Sequence, residues 1–300
     1  MAQEYGIIFS VVCMKGRLDK RNRAQWDALI ETEGQTLGLA ECRPFLENKI
    51  VNDIFYEGMF KGTPCIVKCS SRAPESIANE FAMSRRLSDV DPGVCAEALA
   101  KWVSPDGSRA FVVLRKLPGP SLTEMFMRGM SVDEAADCLD DMLRIAAALL
   151  KAGIVWRDII PDNFLRDADG HLKLIDAQFA IDRNDFHEDP YMLAHWRYRT
   201  LLFAHHPMMA GRGWNDVGMM LHYARYFPRN GMVKERLARL GELERQAAFP
   251  VEYGRLDELR VALCLCGFTL CRLFAGGRHA AALRDRMARC RRFLKRSTTW

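Results

Sequence analysis

One short polar segment constrains this chain more than any other part of it. Residues 156–165 read Trp-Arg-Asp-Ile-Ile-Pro-Asp-Asn-Phe-Leu, so the carboxylate of Asp158 is followed five residues later by the amide of Asn163. A second carboxylate, Asp176, comes thirteen residues after Asn163 and directly after Leu174-Ile175. Carboxylate and amide oxygens suit Mg²⁺, and phosphoryl transfer needs little from a protein beyond holding metal, nucleotide and hydroxyl in line. The three side chains are therefore candidates for a polar site that holds a divalent cation.

Upstream of this segment, a predicted hairpin and helix supply two opposite charges. Residues 54–59 and 64–69 flank a Lys-Gly-Thr turn and predict a β-hairpin. The helix that follows has Pro74 in its first turn, and Glu80 lies on its apolar stripe. A carboxylate on a core-facing stripe requires a cation, and Lys68 at the end of the preceding strand is the candidate.

Further along, a second hairpin and a long helix divide the chain into two regions. Residues 99–103 and 109–114 predict the hairpin, and the Pro- and Gly-rich residues 117–122 mark the boundary after it. The long helix begins at a capping box in residues 131–134 and stops at Gly153. The pattern predicts a small region that contains a sheet, followed by a larger, mainly helical region.

This order of elements is similar to the protein-kinase-like superfamily. A strand lysine, a helix glutamate, a hinge, a long helix, a polar loop and a carboxylate after a strand follow one another between residues 46 and 221. The resemblance implies an α+β, two-lobed protein-kinase-like fold, with a small antiparallel-sheet N-lobe that carries one helix and a larger, mainly helical C-lobe. In character it lies nearest to bacterial lipopolysaccharide-core and sugar kinases.

The resemblance also implies a role for each candidate site residue. Lys68 would neutralise the α- and β-phosphates of ATP, and Glu80 would fix the lysine side chain. Asp158 would orient the acceptor hydroxyl and take its proton. Asn163 and Asp176 would bind the Mg²⁺ that bridges the phosphates. ATP and Mg²⁺ are therefore the implied cofactors.

Several positions depart from the kinase pattern. The usual His before Arg-Asp is Trp156, and the lysine that follows the catalytic aspartate by two residues in Ser/Thr kinases is Ile160. The Asp-Phe-Gly triplet reads Asp-Ala-Gln, and Gln178 lacks the freedom of glycine at positive φ, which argues against a flipping activation segment. Residues 46–52 contain no glycine, and no Ala-Pro-Glu motif is visible further on. A weaker match is Asp216, which resembles the aspartate that braces the catalytic loop.

These departures favour a small acceptor over a protein. The predicted function is ATP-dependent transfer of the γ-phosphate to a hydroxyl of a saccharide in a bacterial surface glycan or lipopolysaccharide core. A Ser/Thr protein kinase is one alternative, and a pseudokinase scaffold that keeps the same residues as a polar network is another. The implied partners are a nucleotide and a saccharide or lipid-linked glycan, and no nucleic acid is expected.

Composition bears on location and organisation. With 49% apolar and 27% charged residues, the chain has the composition of a folded soluble protein, and its ten scattered cysteines favour a reducing, cytoplasmic setting. A basic helix over residues 278–296 either lies on an anionic membrane surface, peripheral to the inner membrane, or packs with a solvated basic face. The predicted division is an extension at 1–44, an N-lobe at 45–118, a C-lobe core at 119–230 and a C-terminal helical region at 231–300.

Overall fold

The computed structural model of the protein divides into two compact units. The first comprises Met1–Met130 and Pro161–Phe179, and the second comprises Ser131–Ile160 and Ala180–Trp300. The chain therefore crosses between the units directly after the segment that contains Asp158. The structure describes residues 20–45, 53–71, 73–184, 213–247 and 249–250, together with residues 263, 266, 287 and 291.

A sheet of five antiparallel strands is the centre of the first unit. The strands are β1 (Leu39–Phe45), β2 (Ile54–Phe60), β3 (Thr63–Ser70), β4 (Ala98–Val103) and β5 (Ala110–Arg115), in the order β1-β2-β3-β5-β4. Both predicted hairpins are present, as the pairs β2–β3 and β4–β5. The sequence analysis assigned no element to residues 1–44, yet the edge strand β1 lies almost wholly within them and pairs with β2.

One face of this sheet is covered by a helix from near the start of the described chain. Helix α1 (Lys20–Leu29) continues as a π-helical turn over Ile30–Gly34 and ends in a last turn over Gln35–Leu37. Its apolar side chains pack against alternate residues of β2 and β3. The Tyr56 hydroxyl also donates a hydrogen bond of 2.6 Å to Asp27. Apolar burial and one polar contact together hold this helix on the sheet.

The opposite face of the sheet carries the helix on which Glu80 was predicted. Helix α2 (Pro74–Val90) buries Ile77 against Ala98 and Val112. Lys68 on β3 is the cross-strand partner of Val112 on β5. Because directly paired residues of neighbouring strands project to the same face, Lys68 points toward α2.

A short hairpin completes the described part of the first unit. After helix α3 (Leu122–Arg128), which begins at a capping box of Ser121 with Glu124, the chain returns at Pro161. Strands β6 (Phe164–Arg166) and β7 (Leu172–Leu174) then pair along their whole length. Leu174 also exchanges backbone hydrogen bonds of 2.8 and 2.9 Å with Ala96 and Val94. These bonds fix the hairpin to the segment between α2 and β4.

The described part of the second unit is mainly helical, in line with the sequence prediction. Its long helix α4 begins at the predicted capping box, in which Ser131 and Glu134 cap each other, and it ends at Gly153 with φ +65°. Two further helices pack against it and against each other. The helices are α4 (Val132–Ala152), α5 (Asp216–Ala224) and α6 (Gly231–Ala247), with two-residue ladders joining Ile154–Val155 to Ile181–Asp182 and Gly213–Trp214 to Phe249–Pro250.

Some predictions fall on residues outside this description. Residues 46–52 are among them, and so is the basic helix of residues 278–296 apart from two single positions. The predicted division at 44, 118 and 230 stays a prediction. Within the described residues, none of the helices is both long enough and apolar enough to cross a membrane.

Candidate functional site

Lys68 lies at the centre of a cluster of charged side chains in the first unit. Its Nζ atom is 2.9 Å from Glu80 Oε2 and donates a hydrogen bond of 2.8 Å to Asp176 Oδ1. Asp53, directly before β2, places Oδ2 4.0 Å from the same nitrogen. The predicted pairing of Lys68 with Glu80 is therefore present. Asp53 is an additional carboxylate that the sequence analysis did not identify.

The cluster holds more negative than positive charge. Burial lowers the pKa of Lys68, but the carboxylates of Asp176, Glu80 and Asp53 outweigh burial and raise that pKa above its ordinary value. Burial raises the pKa of Glu80 to about 7, although Lys68 opposes the shift. The Asp176 side chain, 26% exposed, is the most accessible of the four. A nearby cation would offset the excess negative charge.

The donors at this position fit Mg²⁺ bound together with phosphates. Within the described residues, no three His, Cys, Asp or Glu side chains converge as a protein-only metal cage. Mg²⁺ does not require one, because it keeps several waters and takes one or two carboxyl groups together with substrate phosphates. An accessible carboxylate at Asp176 with an amide nearby is a donor set of that kind.

The β6–β7 hairpin brings Asn163 and Asp176 to the same end of one ladder. Asn163 ends a turn of 3-10 helix directly before β6, and its backbone carbonyl oxygen accepts a 3.0 Å hydrogen bond from the Ile175 N–H. The pair Phe164–Leu174 is the last rung of the ladder. Asp176 follows Ile175 immediately, so the two predicted metal ligands lie at the same end of the ladder although Asp176 comes thirteen residues after Asn163 in the sequence.

The backbone of Asp176 has a conformation that needs support. Its φ is +67°, in the left-handed region that residues other than glycine rarely occupy. The Gln178 side chain donates to Asp176 Oδ2 at 3.4 Å. The Asn79 side-chain amide on α2 donates to the carbonyl oxygens of Ala177 at 3.4 Å and Gln178 at 3.2 Å. The sequence analysis missed Asn79, although it directly precedes the predicted Glu80.

The second unit contains the predicted loop with Asp158 and its brace. Asp216, the first residue of α5, accepts hydrogen bonds from the backbone N–H groups of Trp156 at 2.6 Å and Arg157 at 3.0 Å. This contact confirms the predicted bracing role of Asp216. Asp158 follows Arg157 and is partly exposed, and its backbone carbonyl oxygen accepts a 3.0 Å hydrogen bond from the Ile160 N–H.

The brace is buried and internally strained. Trp156 and Arg157 have no exposed surface, and Arg157 has a φ of +69°. Burial raises the pKa of Asp216 to about 6, and the two backbone N–H groups lower it only in part. Asn215 caps α5 by accepting a 2.8 Å hydrogen bond from the Gly218 N–H, which fixes the helix start that carries Asp216.

The chain is similar to several protein kinases, and no family model matches it. One relative is the serine/threonine-protein kinase CBK1 of Pneumocystis carinii, 24% identical over 187 residues, which are 58% of this chain and 37% of the relative. Another is the serine/threonine-protein kinase cot-1 of Neurospora crassa, 25% identical over 57% of this chain and 31% of the relative. The serine/threonine-protein kinase tricornered of Drosophila pseudoobscura pseudoobscura is 29% identical over 32% of this chain and 24% of its own length.

These similarities bear on the fold and on the wider superfamily. This chain spans about a third of the length of the first two relatives. The predicted fold class is confirmed: the protein is α+β, with a five-stranded antiparallel sheet and several helices, as in the protein-kinase-like fold. The likeness supports the protein-kinase-like superfamily at low identity. The names of these three relatives include no sugar kinase.

Proposed function

We propose that the protein is a phosphotransferase that moves the γ-phosphate of ATP to a hydroxyl group. The observation that carries this proposal is the Lys68 cluster, in which one buried ammonium group is joined to Glu80 and Asp176 at 2.9 and 2.8 Å. Phosphoryl transfer relies on positioning and on charge stabilisation more than on covalent chemistry by the protein. A fixed cation beside an accessible carboxylate supplies both.

Each residue has a defined task in this proposal. Lys68 binds phosphate oxygens. Its ammonium group has three N–H donors, so it can donate to a phosphate oxygen in addition to Glu80 and Asp176. Asn163 and Asp176 hold Mg²⁺, which neutralises charge on the phosphates when it is bound. Glu80 keeps Lys68 in place. Asp158 orients the acceptor hydroxyl and accepts its proton.

The first acceptor class we propose is the hydroxyl of serine or threonine in a protein. The relatives are named serine/threonine-protein kinases, and this favours a protein acceptor over the saccharide predicted from sequence. A saccharide, including the glycan of a lipopolysaccharide core, is the second candidate. Ile160 in place of lysine and Gln178 in place of glycine favour it, because both positions depart from the Ser/Thr kinase pattern.

A labelled transfer assay tests the proposal. The purified protein is incubated with γ-labelled ATP and Mg²⁺ in the presence of a serine/threonine peptide library or a panel of core oligosaccharides. Label on the peptides supports the first acceptor class, and label on the oligosaccharides alone supports the second. If neither set is labelled and Mg·ATP does not raise the melting temperature, the phosphotransferase proposal fails and a non-catalytic scaffold takes its place.

A further inference from the structure

Two consecutive residues of helix α2 reach Asp176 by different routes. Glu80 acts through a side chain, since Lys68 lies between it and the Asp176 carboxylate at 2.9 and 2.8 Å. Asn79 acts through the backbone, since its Nδ2 donates to the carbonyl oxygens of the two residues that follow Asp176. An amide NH₂ has two N–H donors, so one Asn79 side chain can serve both carbonyls. The helix is therefore linked to the Asp176 carboxylate through Lys68 and directly to the backbone that follows it.

The Asp176 segment needs this second contact because its backbone is strained. A φ of +67° at a non-glycine residue is unfavourable and persists only where the surroundings hold it. Ala177, in the middle of the triplet, can contribute only a methyl group to apolar packing. Hydrogen bonds from Asn79 supply a link that does not depend on large apolar side chains.

Gln178 adds a direct contact to the carboxylate itself. Its Nε2 lies 3.4 Å from Asp176 Oδ2, while Lys68 occupies Oδ1. The backbone carbonyl oxygen of Gln178 is one of the two groups that accept hydrogen bonds from Asn79. The carboxylate is thus oriented from both oxygens, and each oxygen keeps a further lone pair for a metal.

We propose that Asn79 is a positioning residue that fixes the backbone after Asp176 and, together with Gln178, keeps the Asp176 carboxylate oriented for a divalent cation. The inference rests on the proposed function and extends it. Its consequence is that the metal-binding residue is already in place before nucleotide arrives. Binding of Mg²⁺ and nucleotide then costs little free energy for ordering this segment.

The test separates positioning from simple stabilisation of the fold. The melting temperature of the Asn79→Ala variant is measured at fixed ATP while Mg²⁺ is titrated. We expect the half-saturating Mg²⁺ concentration to rise about three- to tenfold, because one net hydrogen bond corresponds to roughly that factor. Arg85→Ala is the matched control, since Arg85 is exposed on the same helix, and it should leave the Mg²⁺ midpoint unchanged.

Two further variants keep the test decisive if Asn79→Ala folds poorly. Asn79→Leu keeps the approximate size of the side chain and removes its N–H donors without adding charge, so it should raise the Mg²⁺ midpoint in the same way. Gln178→Ala should raise the midpoint less than Asn79→Ala. Because both residues act on Asp176, the double variant Asn79→Ala with Gln178→Ala should deviate from additivity.

Two results would overturn the inference. In one, Asn79→Ala lowers the melting temperature of the ligand-free protein while the Mg²⁺ midpoint stays at the wild-type value, which makes Asn79 structural only. In the other, neither quantity changes. Both differ from failure of the proposed function, in which the wild-type protein itself shows no stabilisation by Mg·ATP and transfers no phosphate.

Discussion

Glu80 in the first unit and Asp216 in the second are both buried carboxylates, but their partners differ in kind. Glu80 faces the ammonium group of Lys68, whereas Asp216 accepts backbone N–H groups from Trp156 and Arg157. Burial raises the pKa of both carboxyl groups, to about 7 and about 6 respectively. The ammonium group of a lysine can bind an incoming phosphate while it keeps its carboxylate partners. Backbone N–H groups are fixed in place and stay bound to the same carboxylate. The first arrangement is suited to ligand binding and the second to holding a loop in shape.

The largest effect should come from replacing Lys68, the cation that faces Glu80. Lys68→Met should lower phosphate transfer at least a hundredfold and reduce the free energy of unfolding by about 3 to 5 kcal/mol, because it leaves buried carboxylates without their cation. Transfer assays and chemical denaturation measure the two quantities. Adding Asp176→Asn to this variant should restore part of the stability but none of the activity. Activity within tenfold of wild type in the single variant would contradict the assignment of Lys68.

The next effect separates chemistry from stability. Asp158→Ala should lower transfer at least a hundredfold, because a positioned general base contributes about that much or more. The side chain is partly exposed, so the melting temperature should stay within a few degrees of wild type. Transfer and thermal unfolding are measured on the same preparation. Equal activity in variant and wild type would remove Asp158 from the proposed mechanism.

Asp216 should make the free energy of unfolding depend on pH. The pKa of Asp216 is raised to about 6 in the folded protein, so the folded state keeps a proton that the unfolded state has already lost. This contribution to stability is complete below the ordinary pKa near 4 and disappears as the pH rises through about 6. A shift of this size corresponds to about 3 kcal/mol.

Asp216→Asn provides the comparison for that pH effect. The variant has no titrating group at this position. As the pH rises from 4 to 7, the free energy of unfolding of the wild type should therefore fall relative to that of the variant. Denaturation curves at several pH values measure this difference. Parallel stability curves for the two proteins would show that Asp216 does not retain its proton on folding.

The smallest effect compares one helix cap from each unit. Ser121 and Ser131 each accept a hydrogen bond from the backbone N–H of a glutamate three residues later, at 3.2 and 3.1 Å. Replacing either serine by alanine should cost about 1 kcal/mol. If the two units unfold in one transition, both variants should shift the same melting curve by similar amounts. Two separate transitions, each moved by only one variant, would show that the units unfold independently.

Local patterns are sufficient to predict the β2–β3 and β4–β5 hairpins and the helices α2 and α4. The turn at Lys61-Gly62, the proline at the start of α2 and the capping box at Ser131 are short-range features, and each marks the element that the structure contains. The pairing of Lys68 with Glu80 followed from a carboxylate on an apolar helix stripe. Such features are readable because residues a few positions apart determine them.

Other features depend on partners that are distant in sequence. Asn79 holds carbonyls that lie 98 and 99 residues further along the chain, and neither local propensity nor periodicity indicates that contact. Asp53 lies near Lys68 because β2, which begins at the next residue, pairs with β3. The π-helical turn over Ile30–Gly34 interrupts the 3.6-residue period, which is one reason that the covering helix has no clear sequence pattern.

The β6–β7 hairpin changes how the spacing of the site residues should be interpreted. Asn163 and Asp176 lie at its open end, while the turn at its far end includes Gly170, beside which an added Cβ would meet no atom within 4 Å. Lengthening that tip by whole pairs of residues would leave the open end where it is. The thirteen-residue interval thus records the length of a hairpin and is no requirement of the chemistry. A homologue with a longer tip would keep Asn163 and Asp176 at the same end of the ladder, and a search by fixed spacing would miss it.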